Sequence, residues 1–313
     1  MQPSDLQQAN GLISRAFSQG RIDDGYAITD VPMCRPDFLA MYLQQCPQGC
    51  FVYKEVGQLR GAAFCHIWGK TGWFGPLAVA PERHHLGIGK QLLHTCIEFL
   101  QTAGCKTIGL ETNPRSSRNI GFYGKSGFVP SVLSIDMIKP VPSKLINSDE
   151  QPHSTIRYST LSLNGKKEFR FQIWNLMQMA GNGTDYTNLI ESIDSFKLGE
   201  SLLFRRKDTS IGFAVLQTKP TQVEEQNALL RIIAFYAHPQ TPDNYFPYFF
   251  TDILSMAQIL KLDRVLLRLP AYSPRTFELL LNQNFRVISS DLRLTLKGYP
   301  EIIAPHFHLN RWV

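Results

Sequence analysis

The chain has 313 residues, 43% hydrophobic and 19% charged, with a formal net charge of +6 and a pI near 9.0. That length allows one large domain or two ordinary ones, and the composition is globular, which excludes a largely disordered chain. The basic excess brings no Lys/Arg run interleaved with aromatics, so a nucleic-acid partner is not expected and a nucleotide-derived ligand suffices to explain the charge.

The N-terminus has no basic stretch followed by an apolar one, and no apolar run nears the ~20 residues that span a bilayer. A cytoplasmic protein without a membrane partner is expected. The helical spacing of Leu6, Ala9, Leu12, Ile13 and Ala16 predicts a helix over residues 5–17. A polar loop over 20–33 carries Asp23, Asp24, Tyr26 and Asp30, and a second helix opens at Arg35-Pro36-Asp37 and stops before Pro47 and Gly49. Residues 50–54 and 61–68 read as a hairpin, followed by an apolar strand at 72–79, a glycine-containing turn at 82–90, an amphipathic helix at 91–102 and a strand at 106–112. The segment 117–128 leads into a last strand at 132–138, and residues 141–154, with Pro142 and Pro152, read as a linker. The six cysteines, Cys34, Cys46, Cys50, Cys65, Cys96 and Cys105, lack the spacing of a metal site or a disulfide scaffold and are expected to be free thiols.

The second half repeats this order. Helices are expected at 166–179 and 186–196, a hairpin at 201–206 and 211–217, a strand at 229–237, a helix at 248–260 and a strand at 264–269. Residues 273–285 then mimic 117–128, and 292–296 mimic the last strand. A duplication resets the domain count, and this one divides the chain near residue 150.

The chemistry concentrates between residues 73 and 128. A pyrophosphate needs several donors converging on a small volume, which consecutive backbone N–H groups at a helix N-terminus supply, aided by the helix dipole. His84-His85-Leu86-Gly87-Ile88-Gly89 sits where such a turn is required, between a strand and a helix, with Arg83 and Lys90 available as added charge. Taken alone the two glycines also suit an ordinary strand–helix turn. A second strand after the helix, and then Asn119-x-x-x-Tyr123-x-x-x-Gly127-Phe128, sharpen the reading.

With Gly75-Pro76-Leu77-Ala78-Val79-Ala80-Pro81-Glu82, Gly87-Ile88-Gly89-Lys90 and the run 119–128, the segment resembles the GNAT superfamily of N-acetyltransferases. The resemblance implies an α/β (α+β) chain of two tandem GNAT-like domains, each a mixed, mostly antiparallel sheet flanked by helices: 1–140 catalytic, 141–154 linker, 155–313 degenerate. It implies acetyl-CoA as co-substrate, no metal, and a sheet splayed between the strands at Leu77 and Leu110. Pantetheine would pair with the backbone near Leu77, Ala78 and Val79. The phosphates would meet residues 83–90 (Arg83, His84, His85, Leu86, Gly87, Ile88, Gly89 and Lys90), with Asn119 and Tyr123 on the far side. The family pattern has Gln or Arg three residues before the first loop glycine; this chain has His84.

The reaction implied is direct attack of a primary amine on the thioester. An alkylamine with a pKa near 10.4 is about one part in a thousand neutral at pH 7, a handicap of roughly 4 kcal/mol, so a base is wanted. Glu111 and His66 are the nearby candidates, each with a structural alternative, and a water chain is a third route. The backbone at Leu77–Val79 is the candidate oxyanion donor, and Tyr123 the acid that protonates the leaving thiolate. Asp23, Asp24, Asp30 and Tyr26 suit a cationic small-molecule or peptide amine, or simply form a solvated acidic loop.

Aligning the copies pairs Gly87 with Tyr245, Gly89 with Pro247, Tyr123 with Leu280 and Asn119 with Thr276. The second copy therefore lacks the cradle and the acid, and is expected to wall the acceptor cleft or to form a homodimer face. The competing readings are a non-catalytic acyl-CoA-binding or sensing protein and an interaction scaffold.

Overall fold

The computed structural model describes residues 1–144, 151–222, 229–304 and 307–312. The first half runs α1 (Leu6–Asp23), α2 (Pro36–Gln45), β1 (Cys50–Glu55), β2 (Gln58–Trp68), β3 (Thr71–Val79), α3 (Ile88–Thr102), β4 (Thr107–Thr112), α4 (Ser117–Lys125) and β5 (Phe128–Pro140). The second runs β6 (Ser154–Arg157), α5 (Leu163–Ala180), α6 (Thr187–Ser195), β7 (Gly199–Arg206), β8 (Thr209–Gln217), β9 (Leu229–Ala237), α7 (Phe246–Ile259), β10 (Arg264–Pro270), α8 (Pro274–Asn282), β11 (Arg286–Leu296) and β12 (His308–Asn310). Strands β6 and β12 have no counterpart among the predicted elements. Of the expected linker, residues 145–150 lie outside the described residues, and Ser154 already opens β6.

Local chemistry explains the elements. Pro36 opens α2, where its missing N–H costs nothing. Val56 and Gly57, with φ of 46° and 75°, close the β1–β2 hairpin in a two-residue turn whose hand matches the strand twist. Along β2 the side chains alternate between faces. Ala63 and Cys65 join the α3 stripe Leu92, Leu93, Cys96 and Leu100, whereas Ala62 and Phe64 meet Ala9, Leu12 and Ile13 of α1. On the α1 side α2 continues into α5 and α6 of the second half, through a core that includes Phe38, Trp68, Trp73, Leu189 and Ile193.

The two halves share one sheet in the order β1-β2-β3-β4-β11-β5-β10-β9-β8-β7-β6. Each copy's last strand crosses over. β11 pairs with β4 (Leu292↔Thr112 to Thr295↔Gly109), and β5 pairs with β10 (Ser134↔Pro270 to Pro140↔Arg264). Between them β5 and β11 run antiparallel along nearly their whole length. The exchange is reciprocal, so the copies are related by a pseudo-two-fold axis through the β5–β11 pair.

That axis carries buried charge. Glu111 on β4 and Arg268 on β10 hold equivalent positions, 157 residues apart, as do Asp136 on β5 and Arg293 on β11. Across strands, Asp136 faces Arg268 and Glu111 faces Arg293. Arg268 grips Asp136 with Nε at 2.8 Å and Nη2 at 2.7 Å and also pairs with Glu111, while Arg293 Nη2 reaches Glu111 at 2.8 Å. In this quartet the acids belong to one copy and the arginines to the other.

Candidate active site

The N-terminus of α3 presents a row of free backbone donors. After Pro81–Arg83 the chain turns through His85 (φ 66°) and Gly87 (φ 82°). At Gly87 the left-handed backbone requires glycine, although a Cβ there would meet open space. None of the backbone N–H groups of residues 85–90 finds an acceptor among the described residues. Six consecutive free donors at a positive helix pole form a ready anion cradle. Gly89 is less constrained, since a Cβ there would stand in ordinary contact with Phe122 and Val79. Lys90, His85 and Leu86 are exposed on this turn. Arg83 is ion-paired with Glu55 at 2.9 Å, and His84 turns inward, its Nε2 at 3.3 Å from the Val79 carbonyl.

Beside the cradle the sheet opens. The parallel pairing of β3 with β4 stops at Trp73↔Gly109, so from Phe74 to Val79 β3 keeps only its β2 neighbour among the described residues. A register shift opposite Phe64 bulges β3 around Gly75 and Pro76. Leu77 and Val79 thus lie on an unpaired parallel edge, in keeping with the splay that the family resemblance implies.

Tyr123 sits on α4 one turn after Asn119. Its half-buried ring lies among Phe122, Phe74 and Phe128, with centroids 5.1, 6.2 and 6.1 Å away. Burial pushes the phenol pKa upward, which keeps its proton in place at neutral pH.

Neither base candidate is poised on this edge. Glu111 is buried in the axial network. Burial alone would raise its pKa, but Arg293 and Arg268, helped by a hydrogen bond from Ser134 at 2.6 Å, hold the carboxyl below its usual range. Both its oxygens are taken up by arginine, so it serves the seam. His66 is buried, stacked on Trp73 at 3.8 Å and edged by Tyr42 at 4.5 Å. Its Nε2 donates to the Gly75 carbonyl at 2.8 Å, leaving Nδ1 as acceptor, and burial lowers its pKa to about 4.

The acidic loop is tied down. Asp23 accepts from Gln19 and is ion-paired with Arg118, Tyr26 takes a hydrogen bond from Asn113, and Arg115 lies 4.8 Å from the Tyr26 ring centre. Arg21 donates to the Asp30 carbonyl at 2.9 Å. Asp23 is the last residue of α1 and not part of the loop, because the helix runs on to it; with Tyr26 it ties the end of α1 and the following loop to the start of α4, and of the four expected acceptor residues only Asp24 and Asp30 keep carboxylates without such a bond among the described residues.

Residues 21–128 match the acetyltransferase (GNAT) family. This segment is a GNAT domain. Over the whole chain the fold is similar to that of a candidate acetyltransferase from Pyrococcus horikoshii (TM-score 0.63, 16% identity, 95% of this chain and 87% of that one). It is also similar to a GCN5-related N-acetyltransferase from Sphaerobacter thermophilus (TM-score 0.60, 13% identity, 97% and 96%), and to a tandem GNAT protein from the clavulanic acid biosynthesis pathway (TM-score 0.61, 10% identity, 96% of each). At these identities the likeness is one of fold. No curated protein sequence matches the chain.

The second half shows what the GNAT fold looks like when its cleft is closed. Its β9–β10 pairing ends at Ile232↔Leu267, so an equivalent splay begins there. It is filled by the chain's own C-terminal segment. β12 pairs with β9 at Tyr236, Phe235 and Ala234; Ala237 N–H donates to Phe307 O at 3.0 Å, and Arg311 N–H donates to Ile233 O at 3.1 Å. Aligned on Pro81 and Pro239, Phe235 and Ala237 stand where the GNAT domain has Leu77 and Val79. Tyr245 is buried in place of Gly87, and Leu280 is fully buried in place of Tyr123. The plug has no signature in the sequence, because a three-residue strand paired with a distant one leaves no local periodicity. Trp312 then crosses to the GNAT domain, where it leaves no room for a side chain at Gly109 and lies 4.0 Å from Arg293.

All six cysteines are free thiols. Among the described residues no cluster of three or more His, Cys, Asp or Glu could hold a metal, and no helix is long and apolar enough to cross a membrane.

Proposed function

We propose that the GNAT domain transfers an acetyl group from acetyl-CoA to a primary amine by direct attack through a tetrahedral intermediate. One observation carries this reading: six unpaired N–H groups at the α3 N-terminus open beside an unpaired β3 edge, with a protonated phenol near them on α4. Acetyl-CoA would supply the activated acyl group. Residues 85–90 would hold its phosphates, and the Leu77–Val79 backbone would align the pantetheine and donate to the oxyanion. Tyr123 would keep a proton for the departing sulfur. With Glu111 committed to arginines, water linked to the cleft is the route left for deprotonating the amine, with His66 Nδ1 as a neutral acceptor beside the β3 bulge.

A second reading, a non-catalytic acyl-CoA-binding protein, is favoured by the two base candidates: Glu111 is held by Arg268 and Arg293, and His66 is buried against Trp73. A thiol-release assay with acetyl-CoA across an amine panel separates the two, with calorimetry of acetyl-CoA alone as the binding control. Turnover that falls at least tenfold in Tyr123→Phe supports the enzyme. Binding without turnover, unchanged in Tyr123→Phe, supports the sensor.

A further inference from the structure

A cavity of about 50 Å³ lies at the seam between the halves, outside the β3–β4 cleft, where α2 and the paired base of β3 meet α6, β9 and the C-terminal tail. By the rule that a water-sized occupant needs ~10–15 Å³, it holds a group of about four heavy atoms. Most of its wall is apolar, with Trp68 and Leu189 typical. Tyr42, His66 and Gln217 also line it, and three further polar residues there carry N–H donors. Trp73 is 1% exposed and, among the described residues, its Nε1 has no hydrogen-bond partner; Gln45 Nε2 is likewise buried and unpartnered. Both are donors, and a buried donor left unsatisfied keeps its full desolvation penalty until an acceptor arrives. The third is Arg311, delivered by the strand that plugs the second copy. Its one carboxylate contact among the described residues is to Asp136 at 3.4 Å, and Asp136 is already held in bidentate fashion by Arg268. Arg311 is therefore incompletely neutralised.

Three N–H donors, one of them cationic, in a small apolar enclosure define a ligand that presents oxygen acceptors and a single negative charge. Aromatic walls supply few waters to share a second charge, and desolvation cost rises steeply with charge. A carboxylate attached to a short apolar stem fits this description. His66 forms part of the same wall and binds the Gly75 carbonyl, so the cavity reaches the β3 bulge that borders the cleft.

We infer that this cavity receives the carboxylate of the amine acceptor, so that the substrates are small amino acids or short amino acid-like compounds, and Arg311 of the tail is a specificity residue for them. The inference rests on the acyl-transfer reading for the word acceptor, and on the cavity alone for the carboxylate. It gives the second half a function: its splay anchors the tail that carries Arg311 to the seam.

The test uses the full chain and matched pairs of amines that differ by a carboxylate: glycine against methylamine, L-alanine against ethylamine, γ-aminobutyrate against propylamine. In the thiol-release assay one or more amino acids should exceed its decarboxylated partner by about tenfold or more in kcat/KM, as expected where a site leaves polar groups unpaired without the ligand's own. Arg311→Gln should raise KM for that amino acid about tenfold with kcat within about twofold, and Arg311→Lys should recover part of the loss, because it keeps the charge without the planar fork. Gln45→Leu, which removes an unpartnered donor, should weaken the same preference if Arg311 variants prove unstable. Equal rates within every pair, or a preference untouched by both Arg311→Gln and Gln45→Leu, overturns the inference. If no amine turns over, the acyl-transfer reading has failed. Calorimetric titration with glycine and acetate then decides the cavity alone: binding that Arg311→Gln abolishes sustains the carboxylate site, and absence of binding, meaning a cavity that holds only water, removes it.

Discussion

Glu111 and Arg268 occupy equivalent positions in the two copies, and their side chains are ion-paired with each other across the pseudo-two-fold axis. Each also binds the residue opposite it on the exchanged strand, Arg293 for Glu111 and Asp136 for Arg268. Two copies that share one fold have thereby become chemically complementary.

Removing Arg268 leaves two buried carboxylates short of a partner. Arg268→Met is expected to lower stability by about 3–5 kcal/mol in urea unfolding, the usual cost of stranding a buried charge. Exchanging the pair, E111R with R268E, does not rescue it, because the new arginine faces Arg293 and the new glutamate faces Asp136. Recovery of stability in that double variant would show that the cross-strand contacts contribute little.

The pH dependence of stability has a definite sign. His66 has an ordinary pKa near 6.5 when unfolded and about 4 when folded. Between those values the unfolded chain binds a proton that the folded chain refuses. Stability is therefore full above pH 6.5 and falls as pH drops toward 4, by about 3 kcal/mol for this group. His308, buried in the plug and lowered to about 3, acts in the same direction. Denaturation midpoints at pH 7.5 and pH 5 should differ less in His66→Gln than in the wild type, the remaining slope belonging to His308 and the carboxylates.

Gly87 tests the cradle without touching a side-chain contact. Its φ of 82° makes an alanine there costly by about 1–2 kcal/mol even though the space is open. Relief of that strain would turn the free N–H groups away from their common focus. Gly87→Ala should weaken acetyl-CoA binding by about tenfold or more in calorimetry, while Gly89→Ala, which fits without strain, should weaken it less.

The plug sets stoichiometry. With residues 307–311 hydrogen-bonded along β9 from Ala237 to Ile233, the second copy has no free edge to offer pantetheine. Titration should give one acetyl-CoA per chain. Leu309→Asp, which places a charge at a fully buried position, should destabilise the protein by several kcal/mol without creating a second site; a second equivalent bound in either protein would contradict the plugged-cleft account.

Much of this protein is legible in its sequence because much of it is local. Helix α3 follows from the spacing of Leu92, Cys96 and Leu100, the β1–β2 turn from residues 55–58, and the cradle from a glycine placed where a left-handed turn must precede a helix. The loss of Gly87 and Tyr123 in the second copy is equally plain, since replacement by Tyr245 and Leu280 is a matter of residue type. Pairings between distant segments are not legible in this way. The exposed edge of β4 would accept either β5 or β11 by alternation of apolar residues, and only the assembled fold, with acids on one copy and arginines on the other, selects the exchange. Glu111 is one of two base candidates in the sequence, with a structural role as the alternative, because its partners, Arg268 and Arg293, are remote along the chain, and Arg311 draws no notice there because its place at the seam depends on β12 entering the second splay. Residue chemistry and short-range periodicity determined the elements and the turn of free donors before α3. Long-range strand pairing, which carries no local signature, decided which charges are structural, which cleft is open and what lines the cavity between the halves.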